Sequence, residues 1–293
     1  MANKSVNTQG LSRRDKSLMS CLLFDEGKIG FSADLSSGEP TVTSHYSGDK
    51  NYRAANFDMV GKEPYYDGDI LMISDMYIAG ASVSPTGQDK VKELYNTKFG
   101  TIPFAEQWVI DDEVIKGDPN VKPFRSFHKL LILAMQYGQT PKGMVANAHD
   151  KGYALRLVEA KNFYRRFWYE LFPDVRKLGE SLQWQYKKNG GYLINEFGFR
   201  MFPDRPEKCM NYFIQSTVTG IMSLLAMKFF NSYKDAEFMT VIHDEIVGQV
   251  DSSKSGECEK VWQEAVKSVN EDLGWTVDIR SGFVMGDNWY TCK

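Results

Sequence analysis

Several things are scarce in this sequence, and each absence narrows what it can be. Only four cysteines, Cys21, Cys209, Cys258 and Cys292, are spread over 293 residues with no close pair among them. That leaves neither a disulfide framework nor the spacing of a zinc site, and it points to a reducing cytosol. No apolar run approaches the length needed to span a bilayer, and the opening Met-Ala-Asn-Lys-Ser has no apolar signal core. The expectation is a soluble protein of the cytoplasm with no membrane partner. An excess of either charge is missing as well, since 35 Lys and Arg stand against 38 Asp and Glu, for a formal net charge of −3. Global charge therefore announces no nucleic-acid partner, although a cleft needs only a local basic stripe. Internal repeats and low-complexity segments are absent. What remains is a globular chain, 42% hydrophobic, long enough for one large domain or two coupled subdomains.

The most informative stretch is Met239-Thr-Val-Ile-His-Asp-Glu-Ile-Val-Gly-Gln-Val250, where His243, Asp244 and Glu245 interrupt β-forming residues on both sides. Val and Ile suit a pleated, half-buried surface, so the segment reads as strand, tight turn and strand. Two carboxylates then sit at a hairpin tip whose flanks belong to a core. They repel one another and lose hydration where partly buried, which a divalent cation would compensate. The other reading is an acidic turn facing water.

Further carboxylates and cations come from elsewhere in the chain. Cys21 to Asp34 reads as strand, turn and strand, with Asp34 closing the second strand. Directly after it a helix start is predicted, with Ser36 or Ser37 as cap, Pro40 in the first turn and Glu39 about one turn beyond Asp34. Residues 48–124 are loop-rich, with scattered Gly and Pro, and Asp111-Asp112-Glu113 there reads as a solvated charge run. Arg125 to Gly138 is an uninterrupted helical pattern with start and stop signals. Its residues Arg125, Lys129, Leu133 and Tyr137 recur every fourth position, two cations followed by an apolar side chain and an aromatic. Such a stripe could hold a polyphosphate at one end and a flat ring at the other, or it could be an amphipathic helix with a solvated basic end. Gly152 to Tyr186 predicts two helices broken at Phe172-Pro173, Gly190 to Phe202 a hairpin, and Asn211 to Phe230 a helix with a polar stripe of Asn211, Gln215, Thr219 and Ser223. Lys254 to Leu273 predicts an amphipathic helix, and Trp275 to Val284 a closing strand.

Asp34 and Asp244 at strand ends, Glu245 beside them, and one helix with Arg125 and Lys129 are parts suited to phosphoryl transfer, where charge must be neutralised and oxygens aligned. At this point the sequence resembles the family A (Pol I-like) DNA polymerases. The family's aspartate-x-serine-x-x-glutamate motif stands as Asp34, Ser36 and Glu39, followed by a similar Ser47-Gly-Asp-Lys-Asn51. Its arginine-x3-lysine-x7-tyrosine-glycine motif stands as Arg125, Lys129, Tyr137 and Gly138, and its histidine-aspartate-glutamate motif as His243-Asp244-Glu245. Asn211 and Gln215 are similar to the asparagine-x3-glutamine segment, Asn7-x-Gln9 with Arg13 to the stretch ahead of the first motif, and Gly286-Asp-Asn-Trp289 to the family's ending.

The resemblance implies an α+β fold, a polymerase palm with an antiparallel sheet and inserted helical fingers. Residues 1–50 would be the N-terminal palm, 51–185 the fingers and 186–293 the C-terminal palm. It implies template-directed synthesis from dNTPs on primer-template DNA with two Mg2+ ions. Asp34, Asp244 and the Leu35 backbone carbonyl would bind metal and Glu245 would support them. Arg125 and Lys129 would grip the triphosphate, with Leu133, Tyr137 and Glu39 also lining the nucleotide site. Glu39 would occupy the sugar edge, where it leaves no room for a 2′-hydroxyl. Gln9, Arg13, Asn211, Gln215 and His243 would touch DNA. Leu133 stands where the family usually carries Phe or Tyr. Six residues precede Asn7, so a thumb and an exonuclease domain are expected to come from separate polypeptides of a split, phage-type enzyme working in the host cytoplasm. Two further readings are a single-subunit phage-type RNA polymerase fragment, opposed by Glu39 and Glu245, and a catalytically silent palm acting as a scaffold. A phosphohydrolase would need more His ligands, and His45, His128 and His149 show no arrangement tied to His243.

Overall fold

Alternation of large apolar and small or polar residues in Lys28-Ile-Gly-Phe-Ser-Ala-Asp-Leu35 makes a strand with two different faces. In the computed structural model, which describes residues 20, 21, 23–53, 135–150, 152 and 155–292, this is β1 (Lys28–Leu35). It is followed by α1 (Gly38–Ser47), α2 (Lys50–Arg53), α3 (Pro141–Asp150), α4 (Leu157–Arg165) with a π-helical turn over Arg166–Leu171, and α5 (Pro173–Lys188). Next come the short strands β2 (Leu193–Ile194) and β3 (Arg200–Met201), then α6 (Cys209–Ser232), β4 (Ala236–Ile242), β5 (Glu245–Asp251), α7 (Cys258–Leu273) and β6 (Ser281–Gly286). The class is α+β with an antiparallel sheet. Two compact units are present, one of residues 1–42 with 214–293 and one of 43–213.

The first unit holds a four-stranded sheet in the order β4-β5-β1-β6, antiparallel throughout. One face carries Phe31, Ala33, Leu35, Ile246 and Val250, all buried. Phe31 packs edge-on against Phe229 of α6 at 5.5 Å between centroids, and Phe229 meets Trp262 of α7 at 5.3 Å. Each such ring contributes about 1.5–3 kcal/mol by leaving water. Gly248, opposite Phe31, is required here, because a Cβ there would come to 2.3 Å from the Phe31 ring. The other face carries Ser32, Glu245, Val247 and Gln249, all buried, with Phe24 and Trp289 packed around Val247 and Ile242. Helix α7 buries Cys258, Trp262, Ala265, Val266 and Val269 at helical spacing and ends at Gly274, whose φ of 59° caps it.

The described residues of the second unit are mainly helical, with the β2–β3 hairpin. The buried Asp49 carboxylate accepts from the backbone N–H groups of Tyr52 at 3.0 Å, Asp174 at 3.0 Å and Val175 at 3.4 Å. One side chain thus satisfies the open amides of both α2 and α5. Tyr52 also accepts from Gln136 Nε2 at 2.7 Å and packs edge-on against Phe172 at 5.1 Å.

The helix break at Phe172-Pro173, the hairpin within 190–202 and the helices at 211–230 and 254–273 stand as the sequence predicts. Three expectations need correction. The closing strand begins only at Ser281, because Val277 and Ile279 are buried without a strand partner, and Asn270 ties down both polar atoms of the Ile279 main chain at 2.7 and 2.9 Å. The piece ahead of β1 is no strand but a single bridge from Leu23 to Asn288. The expectation of no bilayer-length apolar segment also fails. The helical stretch Pro206–Ser232 is long and apolar enough, and half of its most apolar window is buried within the protein. Burial explains that composition, since Phe213, Ile214, Val218, Ile221, Met222, Leu225 and Phe229 are all buried.

Candidate active site at the end of the sheet

Strand register brings the acids together. Asp34 on β1 lies opposite Glu245 on β5, and the Leu35 N–H donates to the backbone carbonyl of Asp244 at 3.0 Å. The β4–β5 connection is a two-residue turn of His243 and Asp244 between the paired Ile242 and Glu245. His243 adopts a φ of 56°, a left-handed conformation that a non-glycine residue enters at a cost of about 1 kcal/mol. On the other side of β1 the Asp34 carbonyl accepts from Ser281 Oγ at 2.9 Å, and the Ser36 N–H donates to the Arg280 carbonyl at 2.9 Å.

The three acids differ in environment. Asp34 is exposed and Asp244 half-buried, whereas Glu245 is 2% exposed and accepts from the buried Ser32 Oγ at 2.7 Å. Ser32, Asp34 and Glu245 share one sheet face, on which Ser32 and Glu245 are buried and Asp34 is exposed. Among the described residues no group of three or more His, Cys, Asp or Glu side chains is placed to hold a metal ion. Two aspartates nonetheless fit Mg2+, which is commonly held by one or two carboxylates with water and substrate phosphates completing its shell. The donor set is oxygen only, as a hard cation requires.

Glu39 lies in the first turn of α1, half-buried, and Gln215 is exposed on α6. Asn211 and Tyr137 belong to the second unit. Tyr137 and Gly138 form the turn that ends a helical segment at Met135 and Gln136, with Gly138 at a φ of 78°. Gln9, Arg13, Arg125, Lys129 and Leu133 lie outside the described residues. Sequence reasoning missed Ser32 and Ser281. The first was legible in principle, two positions before Asp34 on the same strand face. The second reaches Asp34 only through the β1–β6 pairing and has no local signal.

The fold of this chain matches that of a Pol I polymerase domain. The chain matches the solved POL domain of Pol1 from M. smegmatis, described as a complex with DNA primer-template and dNTP, with a TM-score of 0.68 and 18% identity, covering 98% of this chain and 45% of that one. In sequence it is similar to DNA polymerase I of Aquifex aeolicus (strain VF5), 22% identical over 182 residues, which are 59% of this chain and 31% of that protein. It therefore spans less than half the length of either relative. No protein-family model matches the sequence.

Proposed function

We propose that this chain is the palm and fingers portion of a DNA-directed DNA polymerase, which extends a primer on a template with dNTPs. The reaction forms a bond between the primer 3′-oxygen and the α-phosphorus and breaks the α–β phosphoanhydride, releasing pyrophosphate. The observation that supports it most is the strand pairing that sets Asp34 opposite Glu245 and bonds the Leu35 N–H to the Asp244 carbonyl, so that acids from opposite ends of the sequence meet at one sheet end.

In this reading Asp34, Asp244 and the Leu35 carbonyl hold Mg2+, which when bound neutralises phosphate charge and makes the primer hydroxyl a better nucleophile. Glu245 is held by Ser32 beneath the tip and sets the position of Asp244. Arg125 and Lys129 hold the triphosphate, and Leu133 and Tyr137 line the base and sugar side. Glu39 excludes a 2′-hydroxyl. Gln215, His243 and Asn211 contact primer and template, as do Gln9 and Arg13. A chain of net charge −3 gains little from sequence-independent phosphate contacts. We therefore assign thumb and 3′–5′ exonuclease functions to separate polypeptides of a split phage enzyme.

Primer extension by the wild type and by Asp244→Asn, with a duplex-binding partner present, tests the assignment. Extension is expected from the wild type alone, and equal extension by both removes the metal role. Leu133 gives some support to a phage-type RNA polymerase, a reading that preference for ribonucleotides in a competition between rNTPs and dNTPs would establish.

A further inference from the structure

We infer that Ser281 is a positioning residue for the Asp34–Asp244 site, its hydroxyl fixing the peptide unit that joins Asp34 to Leu35. The inference rests on the reading of these aspartates as metal carboxylates. A peptide unit is planar, with a carbonyl at one end and an N–H at the other, so its tilt sets the direction of the groups on both sides. The unit after Asp34 is held at both ends. Its N–H donates to the Asp244 carbonyl at 3.0 Å, and its carbonyl oxygen accepts from Ser281 Oγ at 2.9 Å.

The Ser281 hydroxyl is itself oriented from the core. The Trp262 indole N–H donates to Ser281 Oγ at 3.0 Å, and Trp262 is fully buried between Phe229 at 5.3 Å and Phe283 at 6.2 Å. With one lone pair taken by the indole, the hydroxyl proton turns to the main chain, where Asp34 O at 2.9 Å and Gly282 O at 3.1 Å are its acceptors. A chain of two hydrogen bonds therefore runs from the rigid α7 core to the backbone of Asp34. Tilting the 34–35 peptide would redirect both the Asp34 side chain and the Leu35 carbonyl, the two groups that β1 offers to the metal. Ser281→Ala would remove this link and also leave the buried Trp262 indole N–H without its acceptor, which is why the thermal midpoint is read beside activity.

The test compares Ser281→Ala, Ser281→Thr and Trp262→Phe in the full chain. It reads kcat and the dNTP KM for single-nucleotide addition, Mn2+ binding to the protein alone by electron paramagnetic resonance of free Mn2+, and the thermal midpoint. Ser281→Ala is expected to lower kcat roughly tenfold with KM changed by less than about twofold, and to weaken Mn2+ binding several-fold, because a hydrogen bond that fixes reacting geometry is lost. Ser281→Thr keeps the hydroxyl and restores both values, and Trp262→Phe falls between. The inference is overturned if Ser281→Ala matches wild type in kcat and Mn2+ affinity, or if Ser281→Thr is as impaired as Ser281→Ala. It is equally overturned if activity falls only in step with the thermal midpoint. If the wild type adds no nucleotide, yet Asp34 and Asp244 bind Mn2+ and Ser281→Ala weakens that binding, the polymerase reading fails and the positioning role stands. If wild type and Ser281→Ala add nucleotides equally well, the reverse holds.

Discussion

Asp244 and Glu245 are neighbours in sequence, and their environments predict opposite responses to losing the carboxylate. Glu245 is 2% exposed and receives the Ser32 hydroxyl at 2.7 Å. Glu245→Ala removes a charge-assisted hydrogen bond of about 1.5–3 kcal/mol and strands a buried hydroxyl whose desolvation costs a further ~1 kcal/mol or more. A loss of about 2–4 kcal/mol follows, a drop of several degrees in the thermal midpoint of a chain this size. Glu245→Gln keeps an oxygen acceptor for Ser32 and should lose less than half of that. Asp244, half-buried at the turn and beside the exposed Asp34, has no comparable anchor for its side chain among the hydrogen bonds of the described residues. Asp244→Asn relieves repulsion between two carboxylates and should leave stability unchanged or slightly raised in metal-free buffer while abolishing nucleotide addition. The assay is thermal and urea unfolding with EDTA present, paired with primer extension. A Glu245→Ala protein as stable as wild type, or an Asp244→Asn protein less stable than Glu245→Ala, would refute this division of labour.

Three further outcomes are expected. His243→Gly should fold at least as stably as wild type, because glycine meets the φ of 56° without a Cβ, whereas His243→Ala keeps the strain; urea midpoints compare them. Asp49→Ala should cost about 2 kcal/mol or more, since three backbone N–H groups at two helix starts lose their acceptor, and Asp49→Asn should cost less; proteolysis within residues 43–213 reports it. Burial pushes the thiols of Cys258 and Cys292 up to about 12 and that of Cys209 to about 11, so their thiolate is scarce at pH 8 and appears only as the pH climbs toward those values. Iodoacetamide at pH 8 should therefore label the exposed Cys21 alone, with the other three reacting only after unfolding, as mass spectrometry would read.

The hairpin of His243-Asp244-Glu245 was legible because three polar residues between β-formers leave a chain little choice but to turn. The Asp34 strand end was legible from its alternation and from the helix start that follows. Less visible was which acid faces water. Glu245 and Asp34 share a face, yet one is buried and the other exposed, a difference that strand alternation does not encode. The closing strand was misread because Trp275-Thr-Val-Asp-Ile alternates like a strand, yet the Ile279 main chain is held by the Asn270 side chain from α7 rather than by a neighbouring strand. Asp49 lay inside a segment similar to the family's, but its capping of α5 depends on amides at Asp174 and Val175 far along the chain. Interactions of that kind leave no periodicity to read.

The most direct measurement offers the purified chain, with a duplex-binding partner, four primer-templates that differ only in the templating base, each with all four dNTPs in turn and with Mg2+. The account predicts addition of the complementary deoxynucleotide alone, lost in Asp34→Asn. Addition that ignores the template, or that survives Asp34→Asn unchanged, would contradict it.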